Sequence, residues 1–339
     1  MSLPPSGEIP QGAIRFNTDS QRLEFYAQGE WWVMSTDTPN LGRGADSTPG
    51  PRGLTGGGDE ISIEYINISS TGNAAAFGDL DIRTQVLSSF GSSTRGFWAG
   101  GREHPSPGRT NTIQTVAFAS TGDTTDFGDL ANGARNYCTG CSNSTRGLIG
   151  GGENPALTNN IEYVTMASTG SADTFGELLY NAGGAGATAS PTRGIFFGTY
   201  PSNTNNINFV TIPTLGDAQD FGDTTNGSAG GSANTNGTRA VLALGNDGSN
   251  RNYIDYVTMT STGNAVDFGD LTLARRYKAA MASSTRGVFA GGYANPEGST
   301  KNEEIDYVIY VTQGNAVDFG DLNTARGGCA GCSNAHGGL

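Results

Sequence analysis

Apolar side chains recur along most of this chain in runs of four to eight residues, each bounded by Gly, Asn, Asp, Ser or Pro. In AVDFGDL (265–271), alternation with period two puts Phe268 on one face and Asp267 with Gly269 on the other, which predicts a strand. No window of 11 to 18 residues sustains apolar positions at i, i+3, i+4 and i+7, so long helices are not expected. One stretch shows the unit: RAVLALG (239–245), YIDYVTM (253–259), AVDFGDL (265–271) and RRYKAAMASS (275–284) predict four short strands. TSTGN joins the second and third of them with residues that accept the positive φ of hairpin turns.

That unit repeats. FGD or its variant places phenylalanine at 77, 127, 175, 221, 268 and 319, at intervals of 50, 48, 46, 47 and 51 residues. A second marker, TRG or a variant, keeps the same beat at Arg52, Arg95, Arg146, Arg193, Arg239 and Arg286. A period of 40 to 50 residues with four strands per unit predicts blades packed face to face around an axis. The expected fold class is therefore all-β, a six-bladed β-propeller of four-stranded blades over residues 52–339.

DFG is also a kinase signature, but a kinase needs it once and here the element occurs six times. The phenylalanines read as core plugs, and each glycine as a place where a neighbouring backbone comes close. The acids Asp79, Asp129, Glu177, Asp223, Asp270 and Asp321 march with the TRG arginines. The expectation drawn from this is that the acid of each blade pairs with the arginine of the next, so that Asp321 reaches Arg52 and closes the ring. Solvated charges sharing a repeat by descent are the plainer alternative.

Composition narrows the functional classes. There are 53 glycines among 339 residues, and only 15% of residues are charged. A net charge of −13 and the lack of any basic run argue against nucleic acid. No run of 18 apolar residues occurs, and MSLPPSGEIP lacks the features of a secretory signal, so synthesis in a cytoplasm without membrane insertion is expected. The four cysteines form Cys138-x-x-Cys141 and Cys329-x-x-Cys332. Zinc and disulfide readings stand open, but these columns carry small or apolar residues in other repeats, which favours buried structural thiols. No cofactor or metal is expected. With two histidines, His104 and His336, and acids that recur in every repeat, the chain does not read as an enzyme.

Ahead of the repeats, GAIRFNTDSQRLEFYAQGEWWVM (12–34) predicts a small antiparallel β-meander within a separate segment, residues 1–37, followed by a linker over 38–51. Ile14, Phe16, Leu23, Phe25, Trp31 and Trp32 offer more apolar surface than so short a sheet hides, and are expected to form an attachment interface. The glycine doublets Gly57-Gly58, Gly100-Gly101, Gly151-Gly152 and Gly291-Gly292, followed by Tyr65, Tyr163, Tyr256 or Tyr307, resemble the kelch repeat. Copies four and five lose the doublet. G-x-IRFNTD, then LE-x-Y and a tryptophan near 31, resembles a short module of fibre and other virion proteins of tailed phages, and the Gly-rich repeats are similar to arrays in cyanophage structural proteins.

The resemblance implies a virion protein, localised to the particle, of tail-fibre or adhesin type, bound through its N-terminal segment to other virion proteins and forming a homo-oligomer, with a trimer among the forms considered. Loops between first and second strands emerge on one face and vary most. Their Asn, Ser, Thr and Tyr content suits the hydroxyls of a host-surface glycan. Candidate binding residues are Arg102, His104, Arg109, Tyr200, Asn250, Tyr253, Tyr293 and Lys301. The alternative is a passive capsid or tail decoration or connector without receptor binding.

Overall fold

The computed structural model describes residues 9–17, 22–33, 50–105, 108–294 and 300–339, and the chain divides into two compact units between Thr48 and Pro49. The larger unit thus begins three residues before the expected boundary. Of the linker expected over 38–51, only Gly50 and Pro51 fall among the described residues.

Both units are all-β, with no helix among the described residues. In the smaller one, Ile14–Asn17, Arg22–Ala27 and Glu30–Val33 form the expected antiparallel meander. Phe25 stands opposite both Ile14 and Trp32, and Tyr26 stands opposite Trp31.

The larger unit holds six sheets that share one antiparallel four-strand path, an architecture consistent with a β-propeller. Sheet II runs Ser88–Gly91, Arg95–Ala99, Thr112–Ala117, Thr125–Asp129. Sheet III runs Thr139–Ser142, Arg146–Gly150, Asn160–Thr165, Asp173–Glu177, and sheet IV runs Gly186–Ala189, Arg193–Phe197, Asn206–Thr211, Gln219–Asp223. Sheet V runs Ser232–Thr235, Arg239–Ala243, Tyr253–Thr258, Val266–Asp270, and sheet VI runs Ala279–Ala282, Arg286–Ala290, Thr300–Ile309, Val317–Arg326.

Sheet I takes its first strand from the far end of the chain: Cys329–Ser333 pairs with Arg52–Gly57, which continues to Ser62–Asn67 and Ala75–Asp79. The last strand of the chain therefore completes the first sheet. It also sets the phase of the repeat. Residues 279–282, expected as the fourth strand of the preceding unit, instead open sheet VI by pairing with Arg286–Ala290.

Each apolar core lies between consecutive sheets. Phe77 and Leu54 of sheet I pack with Trp98 and Phe118 of sheet II. Phe268 of V packs with Phe289 and Tyr310 of VI, and Phe319 of VI packs with Ile66 and Ile68 of I, so the circuit closes. The FGD phenylalanines are buried plugs, as expected. Five of them meet the edge of the ring on the third strand, as Phe268 does with Tyr256 at 6.0 Å and 78°. Sheet II carries Thr115 there, and Phe127 turns to Phe97 instead.

The expected acid–arginine ring does not form. Among the described residues no ion pair joins Arg52 to Asp321, or any other TRG arginine to an FGD acid. Arg52 stacks on Tyr65 at 4.5 Å and donates to the Phe118 carbonyl of the next sheet at 2.6 Å. Arg146, Arg193, Arg239 and Arg286 repeat that bond, the last reaching Ile68 across the closure. A planar guanidinium satisfies a ring face and a carbonyl at once, which the acids at the exposed strand ends could not offer.

The acids clasp through their main chain. The N–H of Asp79 donates to Asp123, that of Asp270 to Asn315 and that of Asp321 to Asn73, each on the hairpin of the next sheet. The hairpin glycine in turn donates to the phenylalanine carbonyl, as Gly122 does to Phe77 and Gly72 to Phe319. This close approach explains the FGD glycine: a Cβ on Gly78 would stand 2.0 Å from the Gly122 oxygen.

A second clasp lies deeper. The residue before the third-strand position that is aromatic in five of the sheets is Glu64, Gln114, Glu162, Asn208, Asp255 or Asp306, always bearing a side-chain oxygen and always buried. In five sheets it accepts a main-chain N–H from the segment leaving the preceding sheet, as Glu162 does from Ala131 at 3.0 Å. Three of these acids also hold fully buried arginines: Glu162 with Arg135 at 2.6 Å, Asp306 with Arg275 at 2.9 Å, and Glu64 with Arg326 at 2.6 Å. The sequence reading overlooked this column. Its recurrence just before the aromatic position was the signal.

Candidate functional site

In an antiparallel four-strand path, the loops between second and third strands share one end of the ring with the segments that link each outer strand to the next sheet. Those linking segments carry six equivalent residues: Val86, Tyr137, Gly184, Gly230, Tyr277 and Gly328. Their main chains form a closed hydrogen-bonded circle. Tyr137 donates to Val86 (2.8 Å), Gly184 to Tyr137 (2.8 Å), Gly230 to Gly184 (2.6 Å), Tyr277 to Gly230 (2.7 Å), Gly328 to Tyr277 (3.0 Å) and Val86 to Gly328 (2.8 Å).

All six have left-handed backbones, with φ between 48° and 75°. Glycine adopts that conformation freely, whereas other residues are strained there by about 1–3 kcal/mol each. Three positions are glycine, yet two carry tyrosine. The Tyr277 ring uses the space two of the glycines leave: a Cβ on Gly184 would stand 2.9 Å from the Tyr277 hydroxyl, and one on Gly230 3.1 Å from the Tyr277 ring.

Tyr137 lies 5.7 Å from Tyr277, ring centre to ring centre, and Tyr200 stacks on Tyr137 at 6.2 Å and 22°. The result is a three-tyrosine platform at the axis. Tyr200 is 48% exposed and the other two are half-buried. Burial, and next the Glu153 carboxylate, push the Tyr137 hydroxyl above its ordinary range. Burial likewise raises Tyr277, and raises Tyr293 to about 12, so at neutral pH all three remain hydrogen-bond donors.

Around this platform stands a second circle, on the loops that pair with the linking segments. Arg102 pairs with Gln85, Glu153 with Asn136, Tyr200 with Gly183, Asn246 with Ala229 and Tyr293 with Arg276. Four residue types occupy these five loop positions, with tyrosine alone appearing twice. The Tyr293 hydroxyl reaches Gln85 at 3.1 Å, joining sheet VI to the segment entering sheet II. Arg276 holds its guanidinium 5.6 Å over the Tyr277 ring.

Arg102, Tyr200 and Tyr293 of the expected binding residues thus converge here. Arg109 is engaged nearby, donating to Asn136 at 2.8 Å and to Glu153 at 3.0 Å. His104 lies on the same loop and is exposed. Asn250 is buried and donates to the Tyr293 carbonyl at 2.8 Å, so it supports the rim and presents no surface. Tyr253 begins a strand and packs against the core between sheets IV and V. Lys301 sits on the third strand of sheet VI, with Asp59 at 3.6 Å and Glu60 at 3.9 Å.

Tyr137, Tyr277 and Arg276 were missing from the sequence reading, whose candidates came from the variable loops. The signal was present as a break in the repeat, where two bulky residues replace glycine.

Behind the platform lies an axial cavity of about 130 Å³, lined by the inner strands. Its walls include Cys138, Cys141, Cys329 and Cys332, all buried free thiols as the sequence suggested; burial raises Cys141 and Cys332 to about 12, so they stay protonated and inert. Among the described residues no three or more His, Cys, Asp or Glu side chains gather to hold a metal ion.

Lys278 also lines the cavity, fully buried, and its Nζ donates to the carbonyls of Ala243, Leu244 and Arg275 at 3.0–3.2 Å. Burial, and next the Arg275 charge, lower it to about 7.

At the other end, residues 334–339 cross the axis, with Asn334 bonded to Arg52 of sheet I and Gly337 donating to Thr235 of sheet V. His336 is half-buried there. Its Nε2 meets the Gly91 carbonyl at 2.8 Å and its Nδ1 accepts from Gly338 N–H at 3.1 Å, a pattern that fits the neutral ring.

In the smaller unit, Ile14, Phe16, Phe25 and Trp32 are exposed, from 36% to 63%. The side chain of Leu23 lies outside the described residues. Trp31, expected on the same interface, belongs to the other face: it packs on Tyr26 at 5.3 Å and beneath the Arg15 guanidinium at 4.1 Å, with Arg15 paired to Glu24 at 2.7 Å. Neighbouring residues on a strand point to opposite sides, so Trp31 and Trp32 cannot share a face.

No protein-family model matches the chain, and no curated protein is found similar to it.

Proposed function

We propose that this chain is a virion structural protein of a tailed phage: a six-bladed, kelch-like β-propeller of tail-fibre or adhesin type that recognises a host-surface glycan. In this reading it carries out no reaction, attaches to other virion proteins through its N-terminal meander, and works as a homo-oligomer. The phage assignment draws on the resemblance of residues 12–34 to a virion module. The exposed apolar face of Ile14, Phe16, Phe25 and Trp32 supports attachment, because so small a sheet is marginal without a partner to cover that face.

One observation carries the binding role. The scaffold repeats its side-chain clasps around the whole ring, whereas the axial mouth repeats only its main-chain circle and bears tyrosines in strained conformations. Strain kept where glycine would relieve it points to a use for the side chain. Aromatic faces suit the apolar faces of sugar rings, and the Gln, Asn and Tyr groups around them suit hydroxyls.

The test is a glycan array probed with the full chain and with versions whose 102–112 and 293–304 loops are shortened. Binding by the full chain that the shortened loops lose supports the adhesin. Absence of glycan binding together with firm retention on phage particles would make the protein a capsid or tail decoration or connector instead.

A further inference from the structure

Residues 334–339 border the axial cavity at the end opposite the tyrosine platform. Asn334 is fixed to sheet I twice, its Oδ1 accepting the Arg52 N–H at 2.8 Å and its own N–H donating to the Arg52 carbonyl at 3.2 Å. From there the segment crosses the axis: His336 reaches Gly91 of sheet II, and Gly337 donates to the Thr235 carbonyl of sheet V at 2.8 Å. Glycine is needed at both positions of the crossing, since a Cβ on Gly337 would strike the Gly237 backbone and one on Gly338 the Ser142 carbonyl.

One ring holds the crossing in place. His336 Nε2 donates to the Gly91 carbonyl at 2.8 Å, with Ser142 Oγ at 3.4 Å, while Nδ1 accepts the Gly338 N–H at 3.1 Å. Only a neutral imidazole with its proton on Nε2 can do both. An imidazolium carries a proton on each nitrogen, so Nδ1 would turn a donor toward the Gly338 donor and the contact would become repulsive.

Nothing around the ring compensates that charge. The cavity wall that His336 joins has no carboxylate; its other titratable groups are the four cysteines, Tyr137, Tyr277 and Lys278. Among the described residues no ion pair reaches His336. The charged side chains that open the second strands of the sheets it crosses are all cations, Arg52, Arg95, Arg146 and Arg239, which would oppose a further positive charge. Desolvation lowers the His336 value, so the released segment takes up a proton more readily than the docked one. Docking is therefore full above the ordinary 6.5 and is lost as pH falls through the window beneath it.

We propose that residues 335–339 are an acid-released latch: protonation of His336 frees them from sheets II, III and V and uncovers that end of the axial cavity, with Asn334 left as the anchor on sheet I. Sheet I keeps its closing strand, because Cys329–Ser333 and Asn334 bond to Arg52–Gly57 without the ring. The latch works whatever the mouth at the other end binds.

The experiment follows the Gly337 amide of the full chain by NMR. Of the two histidines, His104 precedes a proline and His336 precedes Gly337, so histidine labelled at its carbonyl carbon with glycine labelled at nitrogen marks one peptide bond alone. Its protection against hydrogen exchange, taken relative to a free peptide at each pH, should fall by about tenfold or more between pH 7 and pH 5, in step with titration of the His336 ring. His336→Gln, whose amide can donate to Gly91 and accept from Gly338 at either pH, should keep Gly337 protected at pH 5. In that variant the carbonyl label is moved to glutamine, which adds one signal to those of the Gln11-Gly12, Gln28-Gly29 and Gln313-Gly314 bonds.

Protection that stays level while the ring titrates would overturn the latch. The same loss in His336→Gln would overturn it as well, since another group would then be driving release. A loss shared at pH 5 by Gly96, Gly147 and Gly194 on the second strands would mean that the ring of sheets unfolds as a whole, and the latch would fall with it.

Discussion

The two ends of the ring of sheets are built on opposite principles. At the hairpin end the same bonds recur: an FGD main chain meets a hairpin glycine and its polar neighbour, and a TRG arginine donates to the carbonyl of the next sheet. At the loop end, Arg102, Glu153, Tyr200, Asn246 and Tyr293 occupy equivalent places with four different side-chain chemistries. A bond repeated around a circuit fixes spacing and closure, so every copy has to keep it. Residues that fix nothing in the frame are free to diverge, and only there can one direction around the axis be told from another. The acids fell on the repeating side, which is why the six copies of the FGD element are mortar.

Four substitutions sharpen or break this contrast. The largest effect is expected within the frame. Glu162→Ala leaves Arg135 buried without its carboxylate and strips the acceptor from Ala131 and Asn132, so denaturant unfolding should show a loss of about 3–5 kcal/mol.

Next comes Lys278, which departs from its column of small or apolar residues. Lys278→Leu, the residue that Leu87 places there, should stabilise the fold by about 1–3 kcal/mol at neutral pH. The sign follows from its lowered value. Between the ordinary 10.5 and about 7 the unfolded chain holds a proton that the folded chain does not, so the native protein loses stability as pH falls through that window. The gain from leucine should therefore shrink towards zero above pH 10.5, and a gain that is flat with pH would contradict it.

His336 offers a smaller effect. Its value is lowered by burial, so the unfolded chain takes up the proton first, and the fold weakens as pH falls below the ordinary 6.5. His336→Gln should remove that acid-side decline, measured as the difference between melts at pH 5 and pH 7.

Smallest of all is Asp321→Asn. The clasp uses the Asp321 main chain, which donates to Asn73 and accepts from Ala74, so stability should change by no more than about 0.5 kcal/mol. A loss of several kcal/mol would revive the side-chain pairing that the structure replaces.

Much of the frame was legible in the chain. Alternation and turn residues placed the strands, the period placed the sheets, and the FGD glycine announced a close backbone. These are local statements, since each depends on how a few residues sit on one strand. The two clasps and the phase of the repeat were not local. A periodic sequence can be cut anywhere with the same period, and only the pairing of Cys329–Ser333 with Arg52–Gly57 shows that the inner strand precedes TRG. The partner of a TRG arginine was unreadable for a related reason, because Ile68 and Arg286 are 218 residues apart and meet only when the circuit closes.

By itself, then, the sequence determined an all-β repeat, its glycine contacts, its aromatic plugs and a small apolar meander ahead of it, because side-chain alternation and glycine sterics act over a few residues. Tertiary structure alone decided which residues face the axis. Tyr137 and Tyr277 read as ordinary linker residues until six segments between Val86 and Gly328 are drawn into one hydrogen-bonded circle, where a left-handed backbone aims the Tyr277 ring over Gly184 and Gly230.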